Sequence, residues 1–364
     1  MLKSIGVLCL LVAAVAQAAE VPEMPSAPRP ASVVVVNCNN GESIQTAVDS
    51  ALPPAEILIT GICVENVLIR NKDVSLRGTQ NPSLDGIRSV VASTPALTVR
   101  GPVITQINDL SFSNSAGTAL QIRFGANVLV ANCRFENNGS VGLRVDSEAF
   151  VNGNSLTFIG NPNTNTSTSD AQFFCRTCDF SGGGPAAVST RNAFVSLLDS
   201  AVTGTLGIVA DQHGAFIDFD CVTLDTPHPC TMNVTGPAAI GTFGGTALLF
   251  GAVNFTGQLI ADDRGTVRLN GAVQRAGSSD GQPNIVDSFG EIIVSRSELF
   301  FITPPTESLI LNTVAQRFGR VLLTGNSTLG GSIQCSSAAD AFLDPTVMRS
   351  PGSSVTGCEH GGVR

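Results

Sequence analysis

An all-β solenoid, specifically a right-handed parallel β-helix, is the fold that this 364-residue sequence predicts, and two repeating patterns predict it. Large apolar residues recur at steps of 22 or 23 positions as one column: Phe112, Phe135, Phe158, Phe180, Val202 and Leu224. Asn or Gly often follows two positions later, and both residues tolerate the left-handed backbone of a tight corner. A repeat of about 22 residues fits three short strands and three turns, so roughly twelve coils are expected.

Residues 127–142 contain the clearest copy of the repeat. Cys133 and Phe135 alternate with Arg134 and Glu136, which is the pattern of a half-buried strand. Because equivalent residues of successive coils lie about 4.8 Å apart, the Phe column predicts an interior ladder of stacked rings.

Both ends of the predicted β-helix, residues 37–332, have features of caps. Ser43, followed by Ile44, Ala47 and Val48, predicts an N-capped short helix whose apolar face covers the first coil. After Leu329 the repeat fails, so residues 333–364 are predicted to form a C-terminal cap.

The first 36 residues predict export. Lys3, an apolar run over residues 5–15 and a small-residue site ending at Ala18 have the order of a secretory signal peptide, residues 1–18, cleaved near Ala18. Residues 19–36 are rich in proline, as in an extended tether. No later run reaches the roughly 18 apolar residues of a membrane span. The sequence therefore predicts a secreted or periplasmic protein without a transmembrane segment.

Nine cysteines follow the predicted cleavage site, and an exported protein can pair them. Three pairs are predicted: Cys38 with Cys63 at the first coil, Cys221 with Cys230 across an insertion, and Cys335 with Cys358 in the C-terminal cap. Cys175 and Cys178 are predicted to be unrelated, because residues three apart on one strand face opposite sides. Cys133 and Cys178 are expected to be buried free thiols, and no cysteine cluster predicts a metal site.

Three short segments near the N-terminus resemble a known family. Residues 43–49, 61–67 and 74–78 are similar to the opening of pectate-lyase-like β-helix proteins. The Gly-x-x-x-Glu-Asn piece within them is especially similar to the start of pectin esterases, which have Tyr where this chain has Cys63. The resemblance covers roughly residues 40–80 and implies the β-helix architecture rather than an activity.

Composition argues against some classes of ligand. The net charge is −9 and the 20 Lys and Arg residues are dispersed, so nucleic acid is not a predicted partner. The chain has 19 Phe but no Trp or Tyr, the residues that usually stack on sugars, and many of the Phe residues fall in the predicted interior column. The polar run at residues 161–170 is predicted to project from the coil as a loop.

The candidate catalytic residues are predicted at one corner of the coil, before its third strand: Asp211, His213, Asp262, Asp263 and Arg264. Asp287 belongs to the same corner, and outward-facing Asp218 and Asp220 lie one strand further on. Carboxylates with a His and an Arg suit acid–base hydrolysis or a Ca²⁺-assisted lyase reaction. Polygalacturonases have such residues in a different order, and acidic residues are common at any solvated corner, so a structural role stays open.

Two other groups of residues have a functional and a structural interpretation. Arg123, Arg144 and Arg191 fall near one turn of separate coils, where they predict either an anion-binding stripe or dispersed surface charge. His228 is expected to be a loop residue rather than a ligand.

The sequence supports functions of different classes. The first is an exported, non-catalytic, monomeric scaffold that contacts glycans or envelope components without a cofactor. The alternative is a polysaccharide-active lyase, hydrolase or esterase, for which Ca²⁺ is the one cofactor to consider. A passenger-like part of a larger assembly is a third alternative. Aromatic residues on an outer sheet face would favour the enzyme, whereas a smooth outer face would favour the scaffold.

Overall fold

The computed structural model describes residues 32–358 apart from residues 80, 81, 83, 185, 205, 206, 213, 222–229, 252, 278–280, 296–308 and 326. Over this range the chain winds as a parallel β-helix, because strands pair with their equivalents one coil earlier and one coil later. Most coils contribute strands to three faces, which we name sheets 1, 2 and 3 in chain order. The predicted fold class is therefore confirmed.

Sheet 1 contains 14 strands and runs the length of the described chain. Along each strand, residues alternate between the interior and the outer face, because a β-strand has a period of two. Its strands are Ser32–Asn37, Ala55–Thr60, Val74–Gly78, Ile104–Asn108, Asn127–Ala131, Phe150–Asn154, Gln172–Arg176, Phe194–Leu198, Phe216–Cys221, Thr246–Gly251, Thr266–Asn270, Glu291–Ser295, Arg320–Leu323 and Asp340–Leu343.

Sheets 2 and 3 join into one sheet of 21 strands, because Thr231–Phe243 and Asn254–Asp262 pass through the corner between them. The other strands of sheet 2 are Ile62–Val64, Gly86–Arg88, Ser111–Ser113, Arg134–Glu136, Thr157–Asn161, Asp179–Gly183, Ala201–Gly204 and Val273–Ala276. The other strands of sheet 3 are Val67–Arg70, Leu97–Arg100, Leu120–Arg123, Val141–Asp146, Thr164–Ser169, Ala186–Arg191, Ile208–Asp211, Asn284–Val286, Thr313–Ala315, Ser332–Cys335 and Ser354–Thr356. In the last coils a three-stranded sheet takes the place of sheet 2: Leu309–Ile310, Thr328–Leu329 and Met348–Arg349.

The interior is a stack of apolar ladders, and the predicted Phe ladder is present. Four fully buried rings stack with centroids 4.8 to 5.1 Å apart: Phe112, Phe135, Phe158 and Phe180. The ladder continues through Val202 to Met232. Met232 thus occupies the position predicted for Leu224, which lies outside the described residues.

The polar run at residues 161–170 does not project as a loop, contrary to the prediction. Thr164–Ser169 is a strand of sheet 3, and Asn161 is fully buried. The Asn161 side chain donates to the Phe135 carbonyl at 3.1 Å and accepts from the Asn138 side-chain amide at 2.9 Å. Amide groups of successive coils thus bond to one another in the interior, while the Asn165 amide nitrogen and the Thr166 and Thr168 hydroxyls are buried without a partner among the described residues.

The predicted N-terminal helix is present and covers the first coil. The helix Ile44–Ser50 has Ser43 as its N-cap, whose hydroxyl accepts from the Thr46 N–H at 3.2 Å. The Glu65 carboxylate accepts from the first two helical N–H groups at 2.6 and 3.2 Å, which have no partner inside the helix. The Glu of the pectin-esterase-like segment therefore attaches the cap to the coil. No helix in the described range is long and apolar enough to cross a membrane.

Four disulfides are present: Cys38–Cys63, Cys175–Cys178, Cys221–Cys230 and Cys335–Cys358. The prediction that Cys175 and Cys178 are unrelated, with Cys178 free, is therefore wrong. Thr177 between them has a φ of 53°, so the chain turns there from sheet 1 to sheet 2 and both sulfurs face the interior. Cys133 is the buried free cysteine of the described residues, as predicted, and burial raises its pKa to about 12.

Strands extend beyond the predicted limits of the β-helix at both ends. Ser32–Asn37, most of which falls in the predicted tether, pairs with Ala55–Thr60 as the first strand of sheet 1. Ser332–Cys335, which begins one residue before the predicted cap, and Ser354–Thr356, within that cap, continue sheet 3. The described parts of the tether and the cap thus belong to the solenoid.

Replacing Phe135 with Ala should lower the free energy of unfolding by about 3–5 kcal/mol, because the change leaves a cavity between two neighbouring rings. Urea unfolding followed by circular dichroism measures the loss. Phe342→Ala is the matched control, since Phe342 lies on the outer face of sheet 1 with 37% of its surface exposed. Equal losses in the two variants would contradict the interior ladder.

Candidate functional site

The corner at which the chain turns from sheet 3 to sheet 1 carries most of the exposed aromatic surface. Among the residues described, five Phe side chains are exposed, and all but Phe342 lie at this corner. We name this line of turns, which runs parallel to the solenoid axis, the sheet 3–1 corner. Its exposed rings, with 45, 38, 58 and 53% of their surface accessible, are Phe124, Phe243, Phe289 and Phe318.

Three of these Phe residues have a left-handed backbone. The φ angles of Phe124, Phe289 and Phe318 are 58°, 64° and 64°, and a bulky residue adopts this region at a cost of about 1–3 kcal/mol. Turns of other coils use residues that tolerate the geometry better, such as Asp170 and Asn192. The left-handed backbone of these three residues therefore lowers stability, and their exposed ring surface contributes no stabilisation in return.

Phe289 and Phe318 form a stacked pair at the C-terminal end of the corner. Their ring centroids are 5.0 Å apart and their planes differ by 7°. The Arg264 N–H donates to the Ser288 carbonyl at 3.0 Å, and the Phe289 N–H donates to the Arg317 carbonyl at 3.1 Å. Arg264, Phe289 and Phe318 therefore occupy one position in three successive coils.

Charged residues surround the stacked pair. Asp287 forms an ion pair with Arg317, whose side chain is mostly exposed. Burial alone would raise the pKa of Asp287, but hydrogen bonds, above all from Arg317, outweigh burial and hold that pKa below its usual value. Asp263 and Arg264 are exposed in the preceding turn. The cluster thus presents carboxylates and guanidinium groups beside two aromatic faces.

The structure places the candidate catalytic residues in two separate turns. Asp262, Asp263 and Arg264 are consecutive in one turn next to the stacked pair. Phe243 pairs with Asp262, and Asp211 precedes Phe243 by one further coil. Asp211 and Asp262 are thus two coils apart, roughly 9.6 Å, with Phe243 rather than Thr242 between them.

Asp211 lies instead beside an arginine. The Arg191 guanidinium is 3.5 Å from the Asp211 carboxylate, and both side chains are substantially exposed. His213 and His228 lie outside the described residues. The corner therefore brings together Asp262, Asp263 and Arg264, while Asp211 belongs to a separate ion pair.

A groove of about 540 Å³ lies beside the middle of the sheet 3–1 corner. Its walls combine aromatic, amide and carboxylate side chains: Phe150, Gln172 and Phe194 from sheet 1, and Glu148, Asp170 and Asn192 from the corner turns. The Asn192 side chain donates to the Asp170 carboxylate at 2.6 Å. The groove thus combines aromatic rings with carboxylates, as the stacked pair does, but has amide groups where the stacked pair has guanidinium groups.

The outer face of sheet 1 carries a row of aromatic rings that the sequence analysis did not predict. Neighbouring centroids in the row are 5.3 to 5.4 Å apart. The rings come from four successive strands: Phe150, Phe174, Phe194 and Phe216. The Phe residues of this protein therefore serve an outer face as well as the core.

Two buried aspartates, Asp218 and Asp220, follow Phe216 on its strand. Burial raises the pKa of Asp218 to about 8, and the charge and hydrogen bond of Asp220 act in the same direction. Burial raises the pKa of Asp220 to about 6, although its hydrogen bond with Asp218 lowers that pKa, while the charge of Asp199 raises it. One Asp218 oxygen has no hydrogen-bond partner in the described part of the chain. At neutral pH the two carboxyl groups therefore share a proton.

One group of side chains in the described ranges has the spacing of a metal site: Asp199, Cys221 and Cys230, with ligand atoms within 4.8 Å of one another. The two sulfurs are bonded to each other, so neither is a thiolate that could bind a metal ion.

A sequence signal for the exposed rings exists, because each is directly followed by glycine: Phe124-Gly125, Phe243-Gly244, Phe289-Gly290 and Phe318-Gly319. The signal is not specific, since Phe250 also precedes a glycine and is buried. The outward row on sheet 1 has no equivalent signal, because its orientation depends on where each corner falls.

No family model matches this sequence, and no curated protein matches it. Among solved structures, the chain is similar to the family 28 exopolygalacturonase of Yersinia enterocolitica, with 10% identity over 91% of this chain and 79% of that chain and a TM-score of 0.39. It is also similar to the catalytic unit of the GH87 α-1,3-glucanase of Streptomyces thermodiastaticus, with 14% identity, coverage of 92% and 70%, and a TM-score of 0.29. The PL6 family alginate lyase AlyGC gives 10% identity, coverage of 89% and 76%, and a TM-score of 0.20. At these identities the similarity concerns the fold alone.

Raising the pH from about 5 to about 8 should destabilise the wild-type protein more than the Asp218→Asn variant. The folded-state pKa of Asp218, about 8, lies above the roughly 3.9 of an unfolded aspartate. Its protonated form therefore favours the folded state, and this contribution is complete at low pH and lost as the pH rises toward 8. Asparagine cannot ionise, so urea unfolding at both pH values should show the variant gaining stability relative to the wild type.

Asp179→Asn, which removes an exposed carboxylate from sheet 2, is the control for that experiment. If the difference between wild type and Asp218→Asn is the same at both pH values, the raised pKa of Asp218 is contradicted.

Proposed function

We propose that this protein binds a linear polysaccharide along the sheet 3–1 corner. The observation that carries the proposal is the concentration of exposed Phe rings on this one line of turns. Three of the rings are held on strained backbone, and strain of this kind accumulates where it serves a function. A solenoid corner selected only for stability would use Asn, Asp or Gly at these positions.

The side chains of the corner suit sugars. A sugar ring has an apolar C–H face that packs against an aromatic ring, and hydroxyl groups around its edge. Phe289 and Phe318 form one aromatic stack that is more than half exposed, while the neighbouring residues 262–264 offer carboxylate acceptors and guanidinium donors. The groove in the middle of the corner offers aromatic rings with carboxylate acceptors and amide donors.

The length of the corner favours a chain over a small molecule. From Phe124 to Phe318 the corner spans eight steps between strands of sheet 1, which is roughly 38 Å at about 4.8 Å per step. Along this distance Phe124 is followed by polar turns at Glu148, Asp170 and Asn192, and then by Phe243, Arg264, Phe289 and Phe318. Polar turns thus lie between aromatic ones, which fits the mixed surface of a sugar chain better than it fits the continuous apolar centre of a protein interface.

Oxidised cysteines support a location outside the cytoplasm. Four disulfides are present, and such bonds persist in oxidising compartments. The signal peptide predicted at residues 1–18, which lie outside the described range, would deliver the chain to the periplasm or to the exterior.

Replacing Phe289 and Phe318 together with Ala should weaken polysaccharide binding about tenfold, the effect of losing about 1.4 kcal/mol of ring stacking and apolar burial. A glycan array followed by titration calorimetry on the best-bound chain measures the change. Phe342→Ala, which removes an exposed ring away from the corner, is the control. Full binding in the double variant, with loss in Phe342→Ala, would overturn the proposed location.

Hydrolysis of the bound chain is a second candidate function, favoured by Asp218 and Asp220. Acid–base catalysis at neutral pH needs carboxyl groups whose pKa values lie near that pH, and both of these pKa values are raised. Protonated Asp218 would donate to the leaving oxygen. Ionised Asp220 is hydrogen-bonded to Asp218, closer than the roughly 5 Å or more that separates the acid and base of a glycosidase. Asp220 would therefore hold the proton on Asp218, and a separate carboxylate would activate water. The pair lies at the end of the outward Phe row, so a chain bound across sheet 1 would reach it.

New reducing ends on the best-bound polysaccharide, assayed with and without Ca²⁺, should disappear in Asp218→Asn and Asp220→Asn and persist in Asp179→Asn. The Asp262→Ala variant tests the other candidate site, which is the corner turn at residues 262–264. Activity that is lost in Asp262→Ala but kept in Asp218→Asn would assign the chemistry to the corner turn. A bound chain that is never cleaved would leave the protein a binding scaffold.

A further inference from the structure

Three arginines form a ladder at the N-terminal end of the sheet 3–1 corner. The successive strands Val67–Arg70, Leu97–Arg100 and Leu120–Arg123 each end on an arginine, and the three arginines are paired in register. Because neighbouring strands lie about 4.8 Å apart, three cationic residues follow one another at strand spacing. We name these three residues the arginine ladder.

The arginine ladder has few negative partners. Asp146, the next residue in the column, lies 3.6 Å from Arg123 and also pairs with Arg144 at 2.9 Å. Within the described residues, neither Arg70 nor Arg100 forms an ion pair. Like charges opposite one another on adjacent strands are destabilising. A bound anion would remove this repulsion.

Phe124 positions two of the guanidinium groups. Its ring centroid is 4.0 Å from the guanidinium carbon of Arg123 and 5.5 Å from that of Arg100, which are cation–π distances. The buried Nε atom of Arg123 lies 3.6 Å from the Asp146 carboxylate. The ring therefore holds two cations close together, and Arg100, which forms no ion pair within the described chain, keeps its guanidinium N–H groups for a ligand.

We infer that the arginine ladder binds the negative groups of an acidic glycan, either carboxylates or sulfate esters. A guanidinium group binds such an oxyanion through two parallel N–H···O bonds. A chain that follows the solenoid axis meets one arginine at each coil, so charges repeated along the chain each find a partner. This inference rests on the proposed function for the path of the chain and adds the charge of the ligand.

A glycan fits the surroundings of the ladder better than a nucleic acid does. The protein has a net charge of −9, and Asp146, Glu148 and Asp170 follow the ladder along the same corner. These carboxylates would repel a strand with a charge on every unit. A glycan can place charged units on the ladder and neutral units on the groove and the Phe pair.

The arginines of the predicted stripe, Arg123, Arg144 and Arg191, do not form one contiguous group. Arg191 lies two coils beyond Asp146, with Ser169 between them, and it pairs with Asp211. The contiguous group extends from Arg123 toward the N-terminus instead.

The test uses three probes with one backbone, namely dextran, carboxymethyl-dextran and dextran sulfate, and single-stranded DNA as a fourth. Calorimetry on the full chain should show the charged dextrans binding about tenfold more tightly than dextran, with a preference that salt weakens. Arg70→Gln and Arg100→Gln should each reduce that preference several-fold. Arg349→Gln, which removes an exposed arginine near the C-terminus, is the matched control.

Each outcome of this titration separates the inference from the proposed function. Equal binding of charged and neutral dextran would overturn the inference and leave the proposed function standing. A preference that survives in Arg70→Gln and Arg100→Gln, or DNA bound as tightly as the charged dextrans, would also overturn the inference. A protein that binds none of the dextrans and no glycan on an array would overturn the proposed function itself. Tighter binding of one charged form supports the inference and identifies the group that the ladder prefers.

Discussion

Parallel hydrogen bonding of each coil to the next is the constraint on which every other feature of this protein depends. Because the step between coils is about 4.8 Å, whatever one coil places at a position meets its equivalent in the next coil. In the interior this geometry stacks Phe112 on Phe135 and stabilises the fold. At the sheet 3–1 corner the same geometry aligns Arg70 with Arg100, whose charges repel, and places Phe289 and Phe318 in successive turns on left-handed backbone, so both features cost stability. The interior ladders provide the stability that the corner then reduces.

The solenoid also keeps its functional features apart. Each coil contacts mainly its neighbours, so the energetics of one turn depend on the turns beside it and little on distant ones. The arginine ladder, the groove and the stacked Phe pair are therefore separate candidate binding sites along one line. A ligand that is itself a linear repeat can bind them in sequence, and its affinity combines their contributions.

The architecture could be predicted from the sequence because the repeat of about 22 residues is visible at many positions at once. The geometry of the corners could not be predicted, because it depends on single residues. The rule that residues three apart on a strand diverge fails at Cys175 and Cys178, since Thr177 between them adopts a positive φ of 53°. The arginine ladder is hidden in the sequence for a related reason. The step from Arg70 to Arg100 is 30 residues, whereas the next step, to Arg123, is 23, so a search at one period misses it.

The buried asparagines have a consequence for how the coils align as they fold. An apolar ladder alone does not fix the register between coils, because shifting one strand by two residues still places a side chain in the interior. The Ser115 N–H donates to the side-chain oxygen Oδ1 of Asn138 at 3.1 Å, and the Asn161 side-chain amide donates to the Phe135 backbone carbonyl at 3.1 Å. These bonds exist in one alignment only, and any other alignment leaves a buried amide unsatisfied, at a cost of about 1–3 kcal/mol. The buried asparagines thus favour one register between successive coils. Hydrophobic burial alone would leave several registers close in free energy.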